Sequence, residues 1–375
     1  MKIGVIGESY LPRVNGVSNS VDRVARSLTS QGHEVTVICA GKTDILYQRD
    51  FEIIRTSSVQ IPTIQDYDFP LTSPRYLKKI FVEKKFDLIH VASPFLIGFI
   101  ALKVARKLNI PSVAVYQTDV AGFSKYYGYK YLTQLSKFWI RKNHELADLN
   151  LVPSKWAWEQ LFDLGVTDLQ IWGRGVDSKN FNPVNRKNEL RSKWNPNAKL
   201  FIGYLGRLSP EKCIDKLDLI ESNEKIQIVI IGNGPSRNTL ERRFPNAIFT
   251  GKLVGQELYE AVASLDVLFA TGENETFCQV VQEALSSGLF VFAPEEGAAK
   301  ELIQHNKSGF IYTRFDKFKI NQKLNLFLSF PEILEEISIQ NRNQVATNTW
   351  EENCVRLFNI YNQLVHVKIH TEEFV

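Results

Sequence analysis

Short apolar runs bounded by polar, glycine or proline residues recur along the first half of the chain. They lie at residues 2–7, 34–39, 86–90, 112–116 and 149–152 and predict strands. Segments with helical spacing, such as 18–29 and 98–107, separate them. This alternation predicts a parallel sheet covered by helices on both faces. The pattern breaks at Trp172-Gly173-Arg174-Gly175-Val176-Asp177 and at Phe181-Asn182-Pro183, which predicts a hinge. A second series of runs follows at 200–205, 226–231, 247–250, 267–270 and 289–293, and residues 350–365 close the chain with a helical pattern. The reading is an α/β protein of two Rossmann-like doubly wound domains facing a central cleft. The domains are residues 1–172 and 184–349, with a hinge at 173–183 and the helix 350–375 completing the first domain. Ligands of such domains sit at the C-terminal ends of the strands.

Composition narrows the classes. A chain of 375 residues, 44% hydrophobic and 23% charged, reads as soluble and long enough for two cores. No apolar run reaches the ~20 residues of a membrane span, and the opening Met1–Gly7 run reads as a first strand, not a leader. Cys39, Cys213, Cys278 and Cys354 are far apart with no metal-type spacing, which favours a reduced, cytoplasmic setting. A net charge of +4 permits an anionic surface as partner without demanding nucleic acid.

The candidate chemistry centres on Glu275-Thr276-Phe277-Cys278-Gln279-Val280-Val281-Gln282-Glu283, where a loop runs into a helix. With both carboxylates on or beside that helix, eight residues of rise would separate them by about 12 Å. That span suits a nucleoside-diphosphate sugar, with the helix N-terminus facing the diphosphate. Two solvated glutamates on an ordinary helix are the plain alternative. Arg207 and Lys212 follow the strand 200–205 directly, and two cations there could neutralise a diphosphate leaving group in place of a metal. Gly232-Asn233-Gly234-Pro235 and Thr250-Gly251-Lys252-Leu253 also end strands, where backbone groups could meet a ribose or a base; ordinary turns explain them as well. In the first half, Pro12-Arg13-Val14-Asn15-Gly16-Val17 precedes a helix, and Gly16 would let backbone approach a phosphate or sugar. The loop lacks the spacing of a dinucleotide site. Tyr116-Gln117-Thr118-Asp119 ends another strand and would point into the cleft. Asp66-Tyr67-Asp68 has the form of a metal-binding pair, but it lies in a proline-rich loop and is set aside, so no metal site is expected. Basic and aromatic residues interleave over 123–142, and Lys78, Lys79, Lys84 and Lys85 add charge. These point to a peripheral contact with an anionic membrane face; a solvated basic helix is the alternative. No nucleic-acid module is present.

Together these motifs resemble family-4 glycosyltransferases of the GT-B fold over essentially the whole chain. The segments Glu275–Gln279 and Tyr116–Asp119 look most like actinobacterial mannosyltransferases that use GDP-mannose on glycolipid acceptors; glucosyl and sulfoquinovosyl diacylglycerol synthases, which use UDP-sugars, are also similar. The resemblance implies a retaining, metal-independent hexosyltransferase with no cofactor beyond its nucleotide-sugar donor. It would act on a lipid-linked or glycan acceptor at the inner membrane face. The first domain would bind the acceptor and the second the donor. Glu275 would contact the donor sugar, Phe277 and Cys278 would offer backbone N–H groups, and Glu283 would hold the ribose. Arg207 and Lys212 would stabilise the departing diphosphate. Gly16, Gln117, Asp119, Gly234, Lys252, Leu253 and Gln279 complete the donor set, and Arg13, Asn15 and Tyr116 the acceptor set. Many relatives carry histidine where Gln117 stands; glutamine can bond a hydroxyl but cannot act as a base near neutral pH. A non-catalytic nucleotide-sugar-binding scaffold is the rival from another class.

Overall fold

The computed structural model describes residues 1–12, 16–41, 49–60, 68–117 and 132–372. Its contacts divide into two compact units. The first comprises residues 1–121, 130–173 and 350–375, and the second 122–129 and 174–349.

The first unit holds a seven-stranded sheet built from β1 (Lys2–Gly7), β2 (Glu34–Ala40), β3 (Glu52–Thr56), β6 (Leu88–Val91), β7 (Ser112–Val115), β8 (Leu149–Val152) and β9 (Leu169–Ile171). A small antiparallel pair, β4 (Ser58–Gln60) with β5 (Asp68–Pro70), stands apart from it. The order is β3-β2-β1-β6-β7-β8-β9, and every pairing is parallel. Central strands β6 and β7 are buried at every position, because helices cover both faces. Local chemistry sets the helix ends. Ser154 caps the helix Lys155–Asp163 by accepting from the Ala157 N–H at 3.0 Å. The final helix, Trp350–Glu372, belongs to this unit and buries Cys354, Leu357 and Tyr361 in its core. Tyr361 Oη lies 2.6 Å from His90 Nδ1, and Trp172 Nε1 donates to the Asn353 carbonyl at 2.9 Å.

The second unit holds six parallel strands: β10 (Leu200–Leu205), β11 (Ile226–Ile231), β12 (Ile248–Gly251), β13 (Val267–Phe269), β14 (Phe290–Pro294) and β15 (Gly309–Tyr312). Their order is β12-β11-β10-β13-β14-β15. Chain direction across this sheet reverses between β10 and β13, which opens a crevice beyond their C-terminal ends. One face buries Phe269, Phe290, Phe292, Phe310 and Phe327 and the other Val262, Val281, Leu285 and Val291. Each such side chain contributes about 1.5–3 kcal/mol on burial. Both sheets are the doubly wound α/β sheets that the alternation of strand and helix predicts.

Candidate active site

The loops that leave β10, β11 and β12 are joined by main-chain bonds. Gly206 N donates to the Ile231 carbonyl at 3.0 Å, Leu208 N to Asn233 at 3.0 Å, Ser236 N to Leu208 at 2.9 Å, and Gly232 N to Gly251 at 2.9 Å. Only glycine permits this approach. A Cβ on Gly232 would stand 1.9 Å from the Gly206 carbonyl oxygen, and one on Gly234 would stand 2.3 Å from that of Leu208. Gly232 also has φ +145°, a region that L side chains rarely adopt.

The loop after β10 ends in a short 3-10 turn, Pro210–Lys212, with Cys213 in left-handed conformation behind it. Ser209 Oγ donates to the buried Glu211 carboxylate at 2.5 Å. Thr271 Oγ1 donates to the Lys212 carbonyl. These bonds aim Lys212 across the crevice, and its ammonium hydrogen-bonds the carboxylate of Glu275 in the loop after β13. The pair therefore straddles the reversal point of the sheet. Burial alone would lower the Lys212 pKa, but the Glu275 carboxylate, helped by Glu211, outweighs it and raises it. Lys212 stays charged.

The Glu275 loop is braced from its far side. Its carbonyl accepts from the Ala298 N–H at 3.0 Å, and Gly297, at φ +80°, lets the neighbouring loop approach. Lys216 pairs with Glu273 at 2.6 Å. The loop then reaches Cys278, whose left-handed backbone (φ 69°) turns the chain into the helix Gln279–Ser286. The N–H groups of Phe277, Cys278, Gln279 and Val280 have no acceptor among the described residues. They form the anion-favouring end of that helix. Burial, then Glu275, pushes the Cys278 thiol well up, so it is neutral and no nucleophile.

One expectation changes. Glu275 is in the loop, and the helix begins only at Gln279. Four residues of helical rise, about 6 Å, lead to the half-buried Glu283. The twelve-ångström spacing assumed a continuous helix that the left-handed turn at Cys278 forbids. The side chain of Gln279 is also turned away: Nε2 donates to the Gly175 carbonyl at 3.0 Å, and the buried Oε1 has no partner. Only its backbone N–H remains for a ligand. Arg207 and Lys252 are exposed on their loops, Gly234 is half-buried, and Leu253 packs against the core. All of them lie at the C-terminal end of the second sheet.

In the first unit, the structure places Gly16 at the exposed start of the helix Gly16–Ser30, with open space where a Cβ would be. Gln117 donates its side-chain amide to the Ala92 carbonyl. Tyr116 proves to be a core residue: its ring is 4% exposed and packs on His144 at 5.7 Å, so the side chain does not serve an acceptor. Arg13, Asn15 and Asp119, with Asp66, Tyr67 and the segment 123–131, lie outside the described residues. Glu8, which sequence reasoning missed, sits at the end of β1. Its buried Oε1 accepts from the N–H groups of Phe95 at 3.1 Å and Gly98 at 3.0 Å, so the protein's own carboxylate fills the N-terminus of the helix Ile97–Lys107. Glu211 and Thr271 were missed as well; nothing in the local sequence marks residues that act by bracing others.

An open groove of about 1010 Å³ lies at the opposite pole of the second sheet, lined by Asn195, Lys199, Lys225, Arg243 and Asn246 among others. None of the candidate site residues lines it.

Comparison with known proteins agrees with the geometry. Residues 14–180 match the model for Glycosyltransferase Family 4, and residues 186–344 match that for Glycosyl transferases group 1. A GDP-mannose-dependent alpha-mannosyltransferase of Corynebacterium glutamicum is 38% identical, covering 97% of this chain and 89% of that protein. A sulfoquinovosyl transferase of Arabidopsis thaliana is 34% identical over 92% of this chain and 70% of its own. Among solved structures, sucrose-phosphate synthase from Thermosynechococcus elongatus shares the fold, with a TM-score of 0.80 at 18% identity, covering 98% of this chain and 100% of that one. With a GT-B fold, both family models matched and such relatives along nearly its whole length, the chain belongs to glycosyltransferase family 4.

Proposed function

We propose that this chain transfers mannose from GDP-mannose to a lipid-linked acceptor with retention of anomeric configuration. The observation that carries the reading is the Lys212–Glu275 pair at the sheet reversal, beside the unpaired amides of residues 277–280. A diphosphate placed there would meet the Lys212 ammonium, the exposed Arg207 and four N–H groups. Glu275, exchanged from Lys212, would accept from sugar hydroxyls, and Glu283 from the ribose. The bond from the anomeric carbon to the phosphate oxygen breaks. The acceptor oxygen attaches on the same face, and its proton passes to the departing phosphate oxygen. Fixed cations and amides stabilise the charge that develops, so the reaction needs no metal. The similarity to the Corynebacterium enzyme supports GDP-mannose as donor. The first unit would take the acceptor, and the helix Leu132–His144, with Leu135 and Phe138 exposed beside Lys137, Arg141 and Lys142, would meet an anionic membrane surface.

Transfer from radiolabelled GDP-mannose and from UDP-glucose, measured side by side with a membrane lipid extract and a chelator, tests this. Label entering lipid from GDP-mannose alone is expected. Label from UDP-glucose alone would overturn the donor assignment in favour of a glucosyl or sulfoquinovosyl lipid synthase, the reading that the Arabidopsis relative supports. Activity that returns only with added metal would reject the metal-free mechanism.

A further inference from the structure

The turn between β15 and the helix Lys317–Ser329 leaves two phenylalanines in water. Phe315 is 87% exposed and Phe318 78%. Scattered surface leucines are ordinary, but two aromatic rings three residues apart on one turn are a concentrated apolar feature. The turn is firmly built. The Asp316 carboxylate accepts from both the N–H and the hydroxyl of Thr313 at 2.8 Å, Lys319 Nζ reaches it at 2.7 Å, and Phe315 N donates to Thr313 Oγ1 at 3.2 Å. Arg314, Lys317 and Lys319 are exposed around the rings, three cations to one carboxylate.

The two rings are the most exposed apolar side chains here; Leu326 and Phe330, further along the helix, are 41% and 51% exposed. On the face of the helix that carries Phe318, the following positions are Gln322, Asn325 and Ser329, all exposed and polar. Two rings offer about 300–500 Å², well below the ~1,000 Å² that a stable protein interface buries. Such a tip suits the headgroup layer of a membrane, where aromatic rings enter and cations meet anionic lipid.

We propose that the tip formed by Arg314, Phe315, Lys317 and Phe318 is a wedge that inserts into the surface of an anionic bilayer. It leaves the C-terminal end of β15, the same end of the second sheet as the candidate site. Tyr312, just before it, donates its hydroxyl to the Ala270 carbonyl at 2.8 Å, and Ala270 begins the loop that carries Glu275. Docking would therefore hold the donor loops close to lipid headgroups. The inference rests on the proposed glycolipid reaction for its choice of a bilayer.

The test is flotation of the full chain with phosphatidylcholine vesicles, with and without phosphatidylglycerol. Wild type should bind the anionic vesicles. The double variants Phe315→Ser/Phe318→Ser and Arg314→Glu/Lys317→Glu should each lose at least about tenfold in partitioning, with melting temperatures unchanged because all four side chains are exposed. Binding within twofold of wild type in both variants overturns the proposal. An environment-sensitive dye on Phe315→Cys should shift to the blue on anionic vesicles; no shift also overturns it. Self-association that depends on Phe315 without vesicle binding would assign the tip to a protein partner instead. These readouts need neither donor nor acceptor, so they stand or fall separately from the transfer assay.

Discussion

Replacing Lys212 by alanine isolates the electrostatic core of the proposed reaction. The ammonium and the Glu275 carboxylate hydrogen-bond across the crevice, with their side chains 24% and 21% exposed. A phosphate oxygen about 4 Å from that ammonium, at an effective dielectric near 20, would be attracted by roughly 4 kcal/mol. Part of this attraction already holds the donor in the ground state. The part that grows as the sugar–phosphate bond breaks lowers the barrier, and losing a single preorganised group of this kind typically costs about 100- to 1,000-fold in kcat. The fold should survive. Thr271 still holds the backbone at position 212, and Glu275 keeps enough water contact for its lost cation to cost only about 1 kcal/mol. Initial rates with labelled donor should therefore show kcat down about 100- to 1,000-fold, with donor KM raised less than about tenfold and a near-normal melting curve. A kcat within about tenfold of wild type, or a loss confined to KM, would refute the role assigned to Lys212.

Gly234→Ala puts a methyl group 2.3 Å from the Leu208 carbonyl oxygen and should destabilise the second unit by about 1–3 kcal/mol while weakening nucleotide binding; calorimetric titration with GDP at unchanged affinity would contradict this. Burial, partly offset by the bond to Asn150, lowers the His144 pKa to about 4, against about 6.5 when unfolded. The unfolded chain thus takes up a proton first, and stability falls as pH drops from about 6.5 towards 4, by up to about 3 kcal/mol. His144→Gln should flatten urea stability across that window, and an unchanged slope would count against it. Lys319, then the Thr313 N–H, hold Asp316 down at about 2, so its contribution is present above the ordinary carboxylate range and lost as pH falls from about 4 to 2. Asp316→Asn should cost about 1 kcal/mol at pH 6, after allowance for solvent screening, and the gap should close as the medium is acidified; a gap independent of pH would refute that account.

The strands legible in the sequence are those buried on both faces. Residues 2–7, 149–152, 200–205 and 226–231 were bounded to the residue, because continuous apolar runs ended by polar residues carry the signal. The strands missed, β3, β9, β15 and the β4–β5 pair, are edge or isolated elements. Leu169–Ile171 is largely exposed, so no apolar run marks it. Within the site, Lys212 was legible as a residue of a strand-end loop and Glu275 as one of a loop running into a helix. Their pairing across 63 residues was not, since it depends on the reversal of strand order. The helical path assumed between Glu275 and Glu283 failed because nothing local announces a left-handed Cys278. Tyr116 read as a ligand-facing residue because strand ends look alike in sequence whether their side chains turn inward or out.

The glycine-bound loops after β10, β11 and β12 bear on how donor choice could change. Where those loops would meet a nucleotide, the peptide units of Gly206, Leu208, Gly232 and Ser236 are held at fixed heights by main-chain bonds between the loops. Peptide groups are common to every sequence, so exchanging an exposed side chain such as Arg207 or Lys252 leaves that relief unaltered, whereas a side chain at Gly232 or Gly234 would disturb it. A different base would be accommodated by lengthening or shortening a loop, which lifts or lowers the peptide planes together.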